Sequence, residues 1–288
     1  MKAKKKPRGT KHNIRREKKR KQRIALAVAV LVIIIFISAF IINSKLNQPS
    51  TSQTVSSTSE PKAAIVDHLS LTCPNQTFIQ TATNTLRQAG YSVDYYPSEN
   101  VTVEFYRNLP THGYKLIVLR VHSSTMEIRG QEVPVTLFTS ELASNTKYVN
   151  EQLTGQLVGA AYSTAQAEMG IIYYGISPLF VTQHMKGKFQ NTTIIMMGCQ
   201  GLNNTKMAEA FIEKGAKVYI SWNQGVSASH TDHAITRLLQ HLISQKQMLK
   251  QAIDTTMKEV GPDPAYKSQL IFYPLEAGDY TIPNIIDT

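Results

Sequence analysis

The chain has little cysteine, no phosphate-cradling Gly-rich loop and no internal repeat. The second and third absences exclude a P-loop or dinucleotide fingerprint and a solenoid. Beyond residue 23 the sequence also lacks any basic excess. Residues 1–23 hold 13 Lys or Arg against a single acid, Glu17, whereas the remainder holds 18 basic and 19 acidic residues, a net charge of −1. The overall charge of +11 is therefore a property of the tail alone. The rest of the chain has no electrostatic reason to seek phosphate, so nucleic acid is not an expected partner.

One stretch lacks charge altogether. Ile24–Ile42 is 19 uncharged and nearly all apolar positions. At about 1.5 Å per residue these span roughly the ~30 Å hydrocarbon core of a bilayer. No small-x-small cleavage site follows, which favours an uncleaved transmembrane anchor over a signal peptide. The positive-inside rule then places residues 1–23 in the cytoplasm and everything after Ile42 outside, giving a single-pass cell-membrane protein. Residues 43–62 read as a solvated stalk, since eight of the ten positions 50–59 are Ser or Thr. Residues 63–288 are left as the extracytoplasmic domain. Four N-glycosylation sequons, at Asn75, Asn100, Asn191 and Asn203, suit that placement.

Within the domain, apolar runs alternate with helical patterns. Strands are expected at Ala64–Leu71, Tyr91–Tyr96, Tyr114–Val121, Thr192–Met197, Lys217–Trp222 and Ser268–Pro274. Helices are expected at Phe78–Ala89, Val103–Asn108, Pro178–Phe189, Lys206–Lys214, Ser229–Ser244 and Lys246–Val260, with a helical turn at Lys147–Leu153. Glu132–Thr139, Gln156–Tyr162 and Gly170–Ser177 read as a small antiparallel addition. The fold class is α/β: a mostly parallel sheet with helices on both faces.

Thr192–Asn223 organises this pattern as strand, turn, helix and strand, one right-handed βαβ unit. Ligands of such sheets bind beyond the carboxyl ends of the strands, and Cys199 follows one such end while His122 follows another. A thiol nucleophile needs a base within hydrogen-bond reach, and the ends of neighbouring parallel strands lie about 4.8 Å apart. The competing reading is a structural histidine and a small buried thiol. His230, Asp232 and His233 open a helix, with the two histidines at i,i+3, but no companion cysteine or carboxylate is evident, so no metal is expected there. No cofactor is expected.

Met197-Gly198-Cys199-Gln200-Gly201 resembles the Cys-Gln-Gly end of the caspase signature, departing from it at the first two positions. Ala208–Val218 resembles the segment after the cysteine of CHAT-domain proteins, and Ser221-Trp222 the Ser-Trp of the caspase substrate strand. The chain thus resembles the caspase-like (clan CD) cysteine peptidases, which include caspases, gingipains and CHAT-domain proteins. The resemblance covers roughly Ile65–Pro274 in element order, and residues 114–123 and 192–224 in motif detail. It implies Cys199 as nucleophile and His122 as general base or acid. It also implies oxyanion donors at the amides of Cys199 and of the residue after His122, and a substrate pocket lined by Trp222 and its neighbours. Gly198, Gln200 and Asn223 belong to the same neighbourhood. Ser123 departs from the family, which usually has Gly after the His. Asn223 stands where caspases carry an acid-recognising Arg, so cleavage after Asp is not implied. The family's strand order puts Cys73 and Cys199 roughly 10 Å apart, beyond the ~7 Å Cα limit for a disulfide. Asn75 is then placed to help orient His122, provided that its sequon carries no glycan. Two functions are expected as alternatives: a membrane-anchored peptidase acting on peptide or protein substrates, or a non-catalytic caspase-like ectodomain for binding or surface organisation.

Overall fold

The computed structural model describes residues 60–128 and 131–282. The basic tail, the apolar segment 24–42 and nearly all of the stalk lie outside the described residues. Among the described residues no helix is long and apolar enough to cross a membrane.

In chain order, β1 (Lys62–Asp67) leads to α1 (Gln76–Gln88), β2 (Ser92–Pro97), α2 (Val103–Asn108) and β3 (Tyr114–Arg120). Then come β4 (Ser123–Ile128), β5 (Gln131–Leu142), α3 (Val149–Leu153), β6 (Leu157–Ala160), α4 (Thr164–Glu168), β7 (Tyr173–Ile176) and α5 (Pro178–Gln183). The last third carries β8 (Thr192–Met196), α6 (Lys206–Glu213), β9 (Ala216–Trp222), α7 (Ala228–Leu239), a π-helical turn at Gln240–Ser244, α8 (Leu249–Val260) and β10 (Leu270–Tyr273).

Six of the strands form one sheet in the order β10-β9-β8-β3-β1-β2. All its neighbouring pairs are parallel except β10, which runs antiparallel to β9. The remaining four, in the order β4-β5-β7-β6, make the expected small antiparallel sheet. The α/β class and its mostly parallel sheet are as the sequence implies.

The near-continuous apolar runs of β1, β3, β8 and β9 arise because both faces of the large sheet are covered. Alternate residues divide cleanly. Ile65, Leu116, Val118, Ile195, Val218, Ile220 and Trp222 join one core with α1, α7 and α8. Val66, Ile117, Leu119, Ile194, Met196 and Tyr219 join the other, with α2, α5, α6 and the inner side of the small sheet.

Of the boundaries that differ from expectation, three have identifiable reasons. The strand expected through Leu71 ends at Asp67, where a carboxylate turns inward to an ion pair. The helix expected to reach Phe189 ends at Gln183, because the Lys186 N–H donates to the Arg107 carbonyl (2.7 Å) and draws the chain off the axis. The helix expected over Ser229–Ser244 becomes π-helical for its final turn. Beyond these, β4 was not expected, since Ser123-Ser124-Thr125 has no apolar alternation. It is a strand at the sheet edge because β5 supplies its hydrogen-bond partner.

Candidate active site

The carboxyl ends of β1, β3 and β8 lie side by side, since β3 pairs with β1 on one flank and with β8 on the other. Each end is followed within three residues by a polar group: His68, His122 and Cys199. The sheet therefore brings the ends carrying His122 and Cys199 together, as strand adjacency requires.

Arg120 fixes that edge. Its register partner on β1 is Asp67. The guanidinium Nη1 donates to Asp67 Oδ1 (2.7 Å), and Nε and Nη2 donate to Asp232 Oδ1 and Oδ2 (2.7 and 2.8 Å). Nη2 also donates to the Cys73 carbonyl (2.7 Å). The outer carboxylate oxygens are satisfied by the Tyr95 hydroxyl on Asp67 (3.1 Å) and the Asn75 amide on Asp232 (2.9 Å). Arg120 and Asp67 are each 1% exposed and Asp232 is 4% exposed. Burial works against the charge on Arg120, but the hydrogen bonds to Asp232 and Asp67 outweigh it and raise its pKa further. One side chain thus ties β3 to β1, to α7 and to the loop before α1.

His122 lies between rings: Tyr162 at 4.9 Å, His68 at 5.7 Å and Phe138 at 6.1 Å between centroids. Burial first, and the Arg120 charge second, hold its pKa below the ordinary imidazole value. The ring is therefore neutral at pH 7, the state a general base requires. His68 is more strongly affected. It is buried, its Nδ1 accepts the His122 main-chain N–H (3.4 Å), and its Nε2 meets the Tyr162 hydroxyl at 2.9 Å. A bare Nδ1 assigns the ring proton to Nε2, facing Tyr162. Burial and the neighbouring His122 lower its pKa to about 4.

The cysteine loop is pressed tightly against this edge. A Cβ on Gly198 would lie 2.2 Å from Ser123 Oγ and 2.5 Å from the Val121 carbonyl, so only glycine fits. Ser123 Oγ donates to the Cys199 carbonyl (2.6 Å) and is buried, so Ser123 acts as a bolt between the two loops. Gln200, at φ +61°, accepts from Thr125 N–H and hydroxyl through Oε1 (3.0 Å each) and staples the same loop to β4. The half-buried Cys199 thiol donates to the Val226 carbonyl (3.5 Å) and accepts from the Val226 N–H (3.4 Å). No hydrogen bond joins it to His122 among the described residues. Cys73 is also a free thiol, and exposed.

Three expected site residues have other commitments. Trp222 is wholly buried, its indole N–H on Thr231 (2.9 Å), so its side chain offers no pocket surface. Asn75 caps α1 by accepting the Phe78 N–H (3.0 Å) and donates to Asp232, so it does not orient His122. Asn223 exchanges hydrogen bonds with Gln269, joining β9 to the chain before β10. Of the helix-opening group, His230 packs on Trp222 and bonds to the Gly261 carbonyl, Asp232 turns inward to Arg120, and His233 is exposed. Among the described residues no group of three or more His, Cys, Asp or Glu is placed to hold a metal. An open groove of about 370 Å³ between the small sheet, α5 and α6 is lined by none of the site residues.

Sequence reasoning missed Arg120, Asp67, His68 and Tyr162. A signal was present for the first three: polar residues closing apolar strands, Asp67-His68 at the end of β1 and Arg120-x-His122 at the end of β3. Tyr162, in the chain between β6 and α4, had none.

The class defined at this point is an α/β domain whose parallel sheet presents a thiol and two imidazoles at one carboxyl edge. No protein-family model matches the chain, and no curated protein matches it. Among solved structures, the Drosophila initiator caspase Dronc aligns at 10% identity and a TM-score of 0.37, over 76% of this chain and 79% of that one. A likeness this loose bears on neither family nor function.

Two outcomes follow from the site. Arg120→Met leaves two buried carboxylates unpaired and is expected to cost about 3–5 kcal/mol in urea denaturation. Adding Asp232→Asn should recover part of that loss, and an unchanged Arg120→Met midpoint would remove the triad from its structural role. The second outcome concerns His68. Its folded-state pKa of about 4 lies below the 6.5 of the unfolded chain, so between these values only the unfolded chain binds the proton. Stability present above pH 6.5 should decline toward pH 4, and urea midpoints should show less decline in His68→Gln.

Proposed function

We propose that this protein is a membrane-anchored, extracytoplasmic cysteine peptidase of caspase-like type, with Cys199 as nucleophile and His122 as its base. The observation that carries the reading is the parallel pairing of β3 with β8, because their carboxyl ends bear those two residues. Support also comes from the neutral state of His122, from the Cys-Gln-Gly motif, and from the strand order 2-1-3-8-9-10, in which the first, third and cysteine-bearing strands follow one another. The apolar segment 24–42 anchors the chain, with residues 1–23 cytoplasmic.

The chemistry is acyl transfer. His122 takes the thiol proton as Cys199 sulfur adds to the scissile carbonyl, and returns it to the leaving amine. Water, deprotonated by the same ring, then hydrolyses the thioester. The amides of Cys199 and Ser123 are the proposed donors to the oxyanion. The Ser123 hydroxyl is committed to the Cys199 carbonyl. Asn223 offers no charge to an acidic substrate side chain.

A second reading, a non-catalytic ectodomain for binding, is favoured by one observation: the thiol bonds to Val226 and not to His122. Peptide hydrolysis by the full chain in detergent separates the two. A broad fluorogenic peptide library should be cleaved, and Cys199→Ala and His122→Ala should each reduce the rate about a thousandfold or more, non-additively in combination. Absence of cleavage by the parent chain, or undiminished cleavage by Cys199→Ala, gives the second reading.

A further inference from the structure

The contacts of the Cys199 thiol point to a regulatory element. We propose that segment 223–227, latched by Asp263, is a cover that holds the Cys199 thiol in a resting position and must open before the thiol can react. The inference rests on the reading of Cys199 as nucleophile and concerns how that nucleophile is controlled.

Both main-chain groups of Val226 engage the sulfur, the N–H at 3.4 Å and the carbonyl at 3.5 Å. The S–H donated to that carbonyl is withheld from the imidazole of His122. Val226 is itself only 8% exposed and belongs to the apolar cluster that holds Met197 and Trp222, so the cover is seated rather than loosely draped.

The segment is fastened on both sides of Val226. Upstream, the Gln200 N–H donates to the Gln224 carbonyl (2.8 Å), and the Asn223 N–H to the Gln269 carbonyl (3.1 Å). A Cβ on Gly225 would lie 2.8 Å from the Tyr266 ring, so that ring lies directly on the main chain of the cover. Downstream, Ser227 donates to Asp263 Oδ2 from both its N–H (2.9 Å) and its hydroxyl (2.7 Å). The other oxygen of Asp263 accepts the N–H groups of Ala265 and Tyr266 (2.9 Å each), which places the Tyr266 ring. One buried carboxylate therefore holds the downstream end of the cover and the aromatic clamp on Gly225. Burial would raise its pKa, but the bonds from Ser227, Tyr266 and Ala265 hold it at about 2, so the latch stays charged at physiological pH.

An amide in place of the carboxylate loses charge and offers one accepting oxygen instead of two, so it cannot take all four donors. Tyr266 is 55% exposed, which makes its truncation mild for the fold while it frees the clamp. The test is the rate of iodoacetamide alkylation at each cysteine of the full chain in detergent, followed by peptide mass spectrometry. Exposed Cys73 serves as the internal reference. Asp263→Asn and Tyr266→Ala should each raise the Cys199 rate, relative to Cys73, about tenfold. Equal Cys199-to-Cys73 ratios in parent and both variants would overturn the cover. If Asp263→Asn unfolds, Tyr266→Ala alone decides. Peptide cleavage plays no part in the readout. A chain that never cleaves peptide but alkylates faster when unlatched keeps the cover and loses the peptidase, and an active peptidase with unaltered alkylation does the reverse.

Discussion

The buried guanidinium of Arg120 is the constraint on which the site depends. Three strands could align their ends without it, since apolar runs alone set β1, β3 and β8 side by side. What the runs cannot do is fix the rotation of the loops beyond them. Arg120 does so by reaching β1 through Asp67, α7 through Asp232 and the loop before α1 through Cys73, all at 2.7–2.8 Å. Each charge is matched by geometry that leaves few donors or acceptors unpaired, the condition under which a buried ion cluster is tolerable. Two residues further along β3's exit lies His122, whose ring feels that positive charge and whose main chain is received by His68.

Close packing does the rest. Gly198 has no room for a methyl group, Ser123 ties one loop to the other through the Cys199 carbonyl, and Gln200 accepts twice from Thr125. None of these contacts engages the Cys199 side chain, so they position the two loops while leaving the thiol free to rotate. The thiol uses that freedom to bond to Val226. Under the proposed reading, fixed loops around a rotatable thiol let one domain hold a resting and a reactive arrangement without rebuilding its sheet.

Much of this was legible in the sequence where apolar periodicity carries the information. The parallel strands, the two-faced core and the placement of His122 and Cys199 at strand ends follow from runs such as Tyr114–Val121 and Thr192–Met197. The antiparallel addition was visible except for β4, whose Ser and Thr residues carry no pattern and whose strand state comes from its partner. Less legible were contacts across long sequence intervals. Asp232 lies 112 residues from Arg120, and nothing local in Thr231-Asp232-His233 says that the carboxylate faces inward. Trp222 illustrates the opposite error: the motif assigned it to a pocket, whereas β9 alternation puts it with Val218 and Ile220 in the core. Asn75 is a helix cap first, as its position three residues before Phe78 allows, and its amide completes the Asp232 shell instead of reaching His122.

The central claim is that the carboxyl edge of β3 and β8 is a reaction centre. It is tested most directly by a crystal structure of the protein after incubation with a peptidyl acyloxymethyl ketone. The account predicts a thioether between the inhibitor and Cys199, the sulfur withdrawn from Val226, and the His122 ring within about 3–4 Å of the modified sulfur or the captured carbonyl oxygen. A structure in which only Cys73 is alkylated, with Cys199 still bonded to Val226, would contradict it.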